Sequence, residues 1–271
     1  MSYFKHLKVL ITGAGTGIGA LLAEHLAREG AHVIVTARRK DAAEEVAARV
    51  RNMGGEATAM VLDVSKLGTF AAFRDRLHTR VGTIDLLINN AGVVFGGEFE
   101  QVDLKDHLNT FQINATGLMA LTHEFMDDMI HSRRGHLVNI ASASSYVGLP
   151  YGSTYAASKW AVLGFSESLR LELKERGIHN MHVTTVCPSY ISTGMFDGVK
   201  SPLLSPMLKP EKVVKAIIKG IKQKQALVQA PAIVKRLDLI KGALPLPVWD
   251  EMAKLTGMST SMRSWKGKHT D

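Results

Sequence analysis

Tyr155 and Lys159 stand four residues apart in TYAASKWAVLGFSESLRLELKERG (154–177), a segment predicted to be helical. Residues at that spacing share a helical face, so a phenol and an ammonium would reach one point. A nearby positive charge stabilises phenolate and would lower a pKa of about 10 toward the operating range. Tyr155 is therefore a candidate general acid/base, with Lys159 as the group that tunes it. Pairs of this kind also arise by chance on ordinary helices, so the surroundings decide. Thirteen residues upstream, Ser142 lies in NIASASS at the end of an apolar run, with Ser144 and Ser145 expected as loop residues. Asn114, in FQINATG, places an amide mid-helix, where it is mildly unfavourable unless it performs a local task or caps a helix break.

A second chemistry is suggested by Thr12-Gly13-Ala14-Gly15-Thr16-Gly17-Ile18-Gly19, which falls where a short apolar run passes into a helical pattern. Glycines there permit positive backbone dihedrals and close approach of the main chain to a pyrophosphate, and the helix N-terminus offers free N–H groups. A dinucleotide is the expected ligand. At the end of the next apolar run, a carboxylate would accept from a ribose 2′-OH and repel a 2′-phosphate. Ala37 holds that place, followed by Arg38, Arg39 and Lys40, which favours NADP over NAD. Arg38 is the best candidate for the phosphate, because a guanidinium forms paired, charge-assisted hydrogen bonds. No His/Cys cluster suggests a metal.

These residues need a scaffold that brings strand ends together. Apolar runs at 7–12, 31–37, 57–65, 84–92, 136–142 and 181–188 alternate with helical patterns, including one long helix between the fourth and fifth. Near-continuous apolar strands separated by helices predict an α/β fold, a doubly wound parallel sheet of Rossmann-like type covered on both faces. One domain is expected: a dinucleotide-binding and catalytic part over 1–195, then a lid segment and a basic, partly amphipathic C-terminal extension over 196–271.

The chain has 271 residues and 46% hydrophobic content, enough for one large core. Its net charge of +8 is not spread out. From Lys200 onward there are 14 Lys+Arg and 5 Asp+Glu, which leaves 19 basic and 20 acidic residues before it. Nucleic acid is accordingly not an expected partner. EKVVKAIIKGIKQK (211–224) reads as a basic amphipathic helix, either packed on the sheet or lying on a membrane surface. The N-terminus reaches a strand within about seven residues, leaving no room for a signal peptide, and no run is long enough to span a bilayer. The lone Cys187 requires no oxidising compartment, so a cytoplasmic location is expected, with peripheral membrane contact through the tail as the alternative.

The spacing Gly13, Gly17, Gly19 departs from GxGxxG and resembles the TGxxxGxG turn of the short-chain dehydrogenase/reductase family, a resemblance that spans about 1–195. It implies that these glycines, with Thr16 and Ile18, cradle a cofactor diphosphate. Some NADP-preferring relatives carry a basic residue within this turn, where Thr16 stands here. Asp63 and Val64 match the position that meets the adenine, although Asp63 alone could be a helix cap. Asn90, Ala91 and Gly92 match the family's NNAG. Pro188, Ile191 and Thr193 resemble PGxxxT, which contacts the nicotinamide carboxamide, with Ser189 in place of glycine. By the same resemblance Tyr155 is the acid/base, Lys159 also holds the nicotinamide ribose, Ser142 polarises the substrate carbonyl, and Asn114 supports a water relay to the lysine. Homodimers or homotetramers, paired through the helices near 104–130 and 154–176, are implied as well.

The apolar segment 194–209, with Met195, Phe196, Leu203, Leu204, Met207 and Leu208, suits a lipophilic alcohol or carbonyl substrate. The expected activity is NADP-dependent hydride transfer to or from such a carbon. An NAD-linked alcohol dehydrogenase and a non-catalytic NADP-binding sensor or scaffold are the alternatives.

Overall fold

A computed structural model of the chain describes residues 2–203 and 205–267, so Leu204 of the expected lid and the last four residues of the tail lie outside the described residues. The elements run β1 (Lys8–Ile11), α1 (Gly17–Arg28), β2 (His32–Ala37), α2 (Lys40–Asn52), β3 (Glu56–Val61), α3 (Phe70–Arg80) and β4 (Leu86–Asn89). They continue α4 (Leu104–Phe111), α5 (Gly117–Glu124), α6 (Met126–His131), β5 (Gly135–Ile140), α7 (Ser153–Glu175) and β6 (Met181–Pro188). The last are α8 (Pro210–Lys222), β7 (Leu227–Ala230), α9 (Leu237–Ala243) and α10 (Leu246–Leu255).

All seven strands form one parallel sheet in the order β3-β2-β1-β4-β5-β6-β7. The chain leaves β1 toward one edge and returns to add β4 on its other side. A crevice therefore opens above the carboxyl ends of β1 and β4, where a doubly wound sheet binds its ligand. Val9 and Ile11 point into the layer covered by α1, α2 and α8, while Leu10 points into the layer of α3, α5 and α7. Apolar side chains on both faces explain why these strands carry no polar alternation.

Two polar ties cross this core. Asn89 Nδ2 donates to Asn139 Oδ1 on β5 and to Thr122 Oγ1 on α5, each at 3.0 Å, and Asn139 Nδ2 donates to Ser166 Oγ on α7 at 2.9 Å. His136 bonds Thr184 Oγ1 at 2.7 Å, and Thr184 in turn donates to the Gln225 carbonyl at 2.6 Å. The imidazole must then be the donor in that pair. Burial pushes its pKa down to about 3 and keeps it neutral.

Three features differ from the sequence expectation. The single helix expected near 104–130 is broken into α4, a π-helical turn Gln112–Thr116, α5 and α6. Gly117 follows that turn because a side chain there would collide with the Val64 carbonyl. The four-residue β7 lies in the expected extension and is too short to leave an apolar alternation; it completes the sheet edge. The C-terminal extension does not stop at one amphipathic helix but adds α9 and α10, separated at Leu244-Pro245. The amphipathic helix α8 buries Val213, Val214, Ile217, Ile218 and Ile221 against the sheet, so its apolar face is part of the core.

Candidate active site

One cavity of about 1080 Å³ runs along the carboxyl ends of the strands. Gly13, Gly15, Thr16, Gly17 and Ile18 form one end of it, beside the N-terminus of α1. Gly13 and Gly17 have φ of +61° and +60°, which L side chains rarely adopt. A Cβ on Gly13 would lie 2.8 Å from Ala91 Cα, and one on Gly15 would press on Ala37 and Ala42. Gly19 does not line the cavity. A Cβ there would meet Asn90 Nδ2 at 2.6 Å and the Gly13 carbonyl at 2.7 Å, so Gly19 lets the helix pack under the turn.

The turn is locked to the strand beside it. Thr12 Oγ1 accepts from the backbone N–H groups of Asn90 and Ala91, both at 3.0 Å, and Asn90 Nδ2 donates to the carbonyls of Thr12 at 2.9 Å and Gly13 at 3.1 Å. Thr12, quoted only as part of the motif in sequence, is thus the hinge between its two halves. Arg38 and Arg39 border the cavity past β2, with Arg38 exposed and engaged in no ion pair among the described residues, whereas Lys40 opens α2. Asp63 and Val64 line the same end. One Asp63 oxygen accepts from Ser65 N at 3.0 Å and Ser65 Oγ at 2.7 Å, a local turn and not a helix cap, since the next helical turn, Leu67–Thr69, is preceded by Lys66.

A chain of bare glycines, a free helix N-terminus and an unpaired guanidinium fit a dinucleotide, whose diphosphate needs N–H donors at close approach. Pro188, Ile191 and Thr193 border the middle of the cavity, and Thr193 faces Gly17 across it, 3.7 Å from where a Gly17 Cβ would be. Ser189 needs no left-handed backbone; its N–H donates to the Ala230 carbonyl at 2.8 Å and its hydroxyl pairs with Ser205 Oγ at 2.5 Å. The loop keeps its place without the family's glycine.

At the other end stand Ser142, Tyr155 and Lys159, all buried. The Ser144 N–H donates to Ser142 Oγ at 3.2 Å, which occupies a lone pair and leaves the Ser142 proton free to point into the cavity. Lys159 Nζ donates to the Ile140 carbonyl at 2.8 Å and lies 5.7 Å from the Tyr155 ring centroid. Burial pushes Tyr155 up to about 12, an effect that the neighbouring Ser142 hydroxyl partly offsets, and pushes Lys159 down to about 8. Removal from water is the largest influence on the phenol, so its pKa stands above the ordinary value and not below it. Ser145 turns away to donate to the Lys159 carbonyl at 2.7 Å.

Asn114 occupies the π-helical turn and does not line the cavity. Its Oδ1 accepts from Val93 N at 2.8 Å, and its Nδ2 donates to the Val93 carbonyl at 2.9 Å and to Ser158 Oγ at 3.0 Å. With both amide hydrogens committed, the side chain braces the NNAG loop against α7 and is not itself a proton carrier. Gly92 lies between, since a Cβ there would sit 3.2 Å from Asn114 Oδ1 and 3.6 Å from Lys159 Nζ.

The roof over this end was largely hidden in the sequence. Val94, Tyr155, Tyr190, Phe196 and Met262 form one cluster with Trp265 packed on it. Tyr190 OH pairs with Ser261 Oγ at 2.7 Å, Trp265 Nε1 donates to the Met195 carbonyl at 3.1 Å, and Leu237, Ile240, Trp249 and Met252 supply further apolar wall. The signal for these contacts in the sequence was the apolar character of the lid segment, with Met195 and Phe196. Cys187 is buried, and its thiol is pushed up to about 11 by that burial, as expected for an unreactive residue.

The short chain dehydrogenase family model matches residues 7–203. Epidermal retinol dehydrogenase 2 of Mus musculus is 35% identical over 265 residues, covering 96% of this chain and 85% of the relative. Estradiol 17-beta-dehydrogenase 11 of Homo sapiens is 31% identical over 237 residues, covering 88% and 79%. A short chain dehydrogenase/reductase from Burkholderia phymatum solved in complex with NAD superposes with a TM-score of 0.80 at 25% identity, covering 89% of this chain and 95% of that one. A metagenomic short-chain oxidoreductase in complex with NADP gives 0.70 at 28% identity, covering 84% and 96%. A glycine turn, a YxxxK helix and a doubly wound sheet brought to one cavity, together with a match over most of the chain, lead to one conclusion: the protein belongs to the short-chain dehydrogenase/reductase family, oxidoreductases that work with NAD or NADP.

Proposed function

We propose that this protein transfers a hydride between NADP and the carbon of a lipophilic ketone, aldehyde or alcohol, with Tyr155 as general acid/base. The observation that carries the reading is a single cavity with the glycine turn and Arg38 at one end and Ser142, Tyr155 and Lys159 under an apolar roof at the other. Gly13, Thr16, Gly17 and Ile18 would hold the diphosphate, Arg38 the 2′-phosphate, Asp63 and Val64 the adenine side, Asn90, Ala91 and Gly92 the ribose side, and Pro188, Ile191 and Thr193 the carboxamide. When bound, the nicotinamide supplies or accepts the hydride.

The chain's own groups handle the oxygen. Ser142, held on the Ser144 N–H, donates to the carbonyl oxygen and positions it. Tyr155, kept protonated at neutral pH by its burial, gives that oxygen its proton in reduction and takes it back in oxidation. Lys159 is fixed by the Ile140 carbonyl and holds the nicotinamide ribose, while Asn114 braces the floor beneath it. The apolar roof matches a lipophilic substrate, in keeping with the retinol and estradiol in the names of two relatives.

The test is a titration with NADPH and NADH, followed by nicotinamide fluorescence, for the wild type and Arg38→Ala. NADPH should bind more tightly, and the variant should lose that advantage. A panel of ketones and alcohols, with Tyr155→Phe as control, then identifies the substrate class. If neither dinucleotide binds, the reading fails.

A homodimer is also part of the proposal. Leu104, Leu108 and Phe111 form an exposed stripe along α4, beside the exposed Trp160 and Leu171 of α7. Sedimentation equilibrium should give twice the chain mass, and Leu104→Glu/Leu108→Glu should return the monomer.

A further inference from the structure

We propose that Trp160 is a positioning residue for Ser142: its indole N–H fastens the turn after β5 and so keeps the serine hydroxyl aimed at the substrate oxygen. The task given to Ser142 rests on the function proposed above; the fastening of the turn does not. Trp160 follows Lys159 in α7, but its side chain is 45% exposed and adds little to the core. What is turned inward is its polar atom, which donates to the Ser144 carbonyl.

Three hydrogen bonds join two consecutive residues of α7 to the segment that leaves β5: Lys159 Nζ to the Ile140 carbonyl at 2.8 Å, Ser145 Oγ to the Lys159 carbonyl at 2.7 Å, and Trp160 Nε1 to the Ser144 carbonyl. Ser144 is the central point, because it is held on both sides. Its carbonyl receives the indole N–H, and its own N–H donates to Ser142 Oγ at 3.2 Å. The Ser144 hydroxyl is buried and makes no hydrogen bond among the described residues, so main-chain bonds alone fix this residue. The bond to Ser142 is long, and it can orient the hydroxyl only while the turn that carries the N–H stays in place. That turn, Ala143–Ser145, is a single 3-10 turn and has little stiffness of its own. A misplacement of about 1 Å in a group that meets reacting atoms can cost about 10²-fold in rate, so an external fastening here bears on catalysis.

The indole is itself clamped. Lys241 Nζ, on α9, stands 4.7 Å from the centroid of the Trp160 ring and donates to the Tyr146 carbonyl at 3.3 Å, just past the turn. The same helix lines the cavity through Leu237 and Ile240. A cation over an indole face is attracted by the ring and holds it in place. One lysine thus ties the roof, the indole and the serine turn together.

The test is Trp160→Phe, which keeps an aromatic ring and removes the N–H, made in the wild type and in Ser142→Ala. Amide hydrogen exchange read by mass spectrometry should rise about tenfold in peptides covering 141–147 and stay at the wild-type rate over the glycine turn. Single-turnover reduction of para-nitrobenzaldehyde by bound NADPH should slow about tenfold, with NADPH affinity unchanged. In Ser142→Ala the same substitution should slow reduction no further, because the group it positions is gone. Lys241→Gln should give the same pattern at about two- to fivefold, and it carries the test if Trp160→Phe does not fold. Unchanged exchange over 141–147, an unchanged rate, or an equal loss of rate in both backgrounds overturns the proposal; the last would make the indole a support of α7 at large. NADPH binding without reduction of this aldehyde or of any ketone in the panel overturns the oxidoreductase reading, and exchange then decides the fastening of the turn by itself.

Discussion

The two ends of the cavity are built by opposite means. At the nucleotide end the wall is main chain and glycine, tied by hydrogen bonds from Thr12 and Asn90, and an added Cβ meets backbone at 2.8 Å or less at Gly13 and Gly19. At the substrate end the wall is side chain, contributed by segments as distant as Val94, Phe196, Trp249 and Met262, with few polar ties. A surface made of backbone tolerates almost no change of shape. One made of large apolar side chains can repack around a volume-conserving substitution. The cofactor end should therefore be intolerant of substitution and the roof adaptable.

The largest expected effect lies at the junction of the two ends. Tyr155→Phe should lower turnover by about 10²–10⁴-fold. Dinucleotide affinity should stay at the wild-type value, which single-turnover kinetics and fluorescence titration would separate. Gly19→Ala should next reduce dinucleotide affinity by about 100-fold, because the collision is with backbone and cannot relax cheaply; equal binding by calorimetry would break the contrast. Arg38→Ala should weaken NADPH by about 10- to 100-fold, the worth of a charge-assisted hydrogen bond, and leave NADH unchanged.

Of similar size is the response to pH. Because the phenol stands near 12, the fraction of phenolate rises about tenfold for each unit of pH below that value, so alcohol oxidation should climb through the alkaline range. Carbonyl reduction uses the phenol, which stays protonated through that range, and should not climb with it. A slope in oxidation that reduction lacks between pH 7 and 9 is the measurement, and parallel slopes would remove Tyr155 from the proton step. The mildest change is expected in the roof. Met262→Leu should cost less than about 1.5 kcal/mol in urea unfolding and shift KM without altering NADPH affinity.

Much of the cofactor end was legible because its determinants are local. A glycine turn, Arg38 after β2, and Asn90-Ala91-Gly92 after β4 each sit at a strand end that apolar periodicity marks. Tyr155 and Lys159 are equally local, since four residues of helix set their separation. What pattern could not reveal is which local features act directly. Gly19 and Asn114 carry the family's spacing, yet neither lines the cavity: Gly19 packs under the turn and Asn114 bonds the Val93 main chain. The break between α4 and α5 escaped for a related reason. A π turn has no residue signature of its own, so in FQINATG only Asn114, an amide out of place in mid-helix, hinted at a break.

Sequence by itself determined the alternation of strands and helices up to β6, the glycine turn and the candidate acid/base pair, because each depends on residues within one or two elements of each other. Tertiary structure decided the roof, the place of β7, the fate of α8 and the height of the Tyr155 pKa. Those outcomes depend on which distant surfaces meet, as Tyr190 meets Ser261 and Trp265 meets Met195, and on how completely water is removed between them. Local periodicity tells which face of a helix is apolar. Only packing tells whether that face covers a core, a cavity or nothing at all.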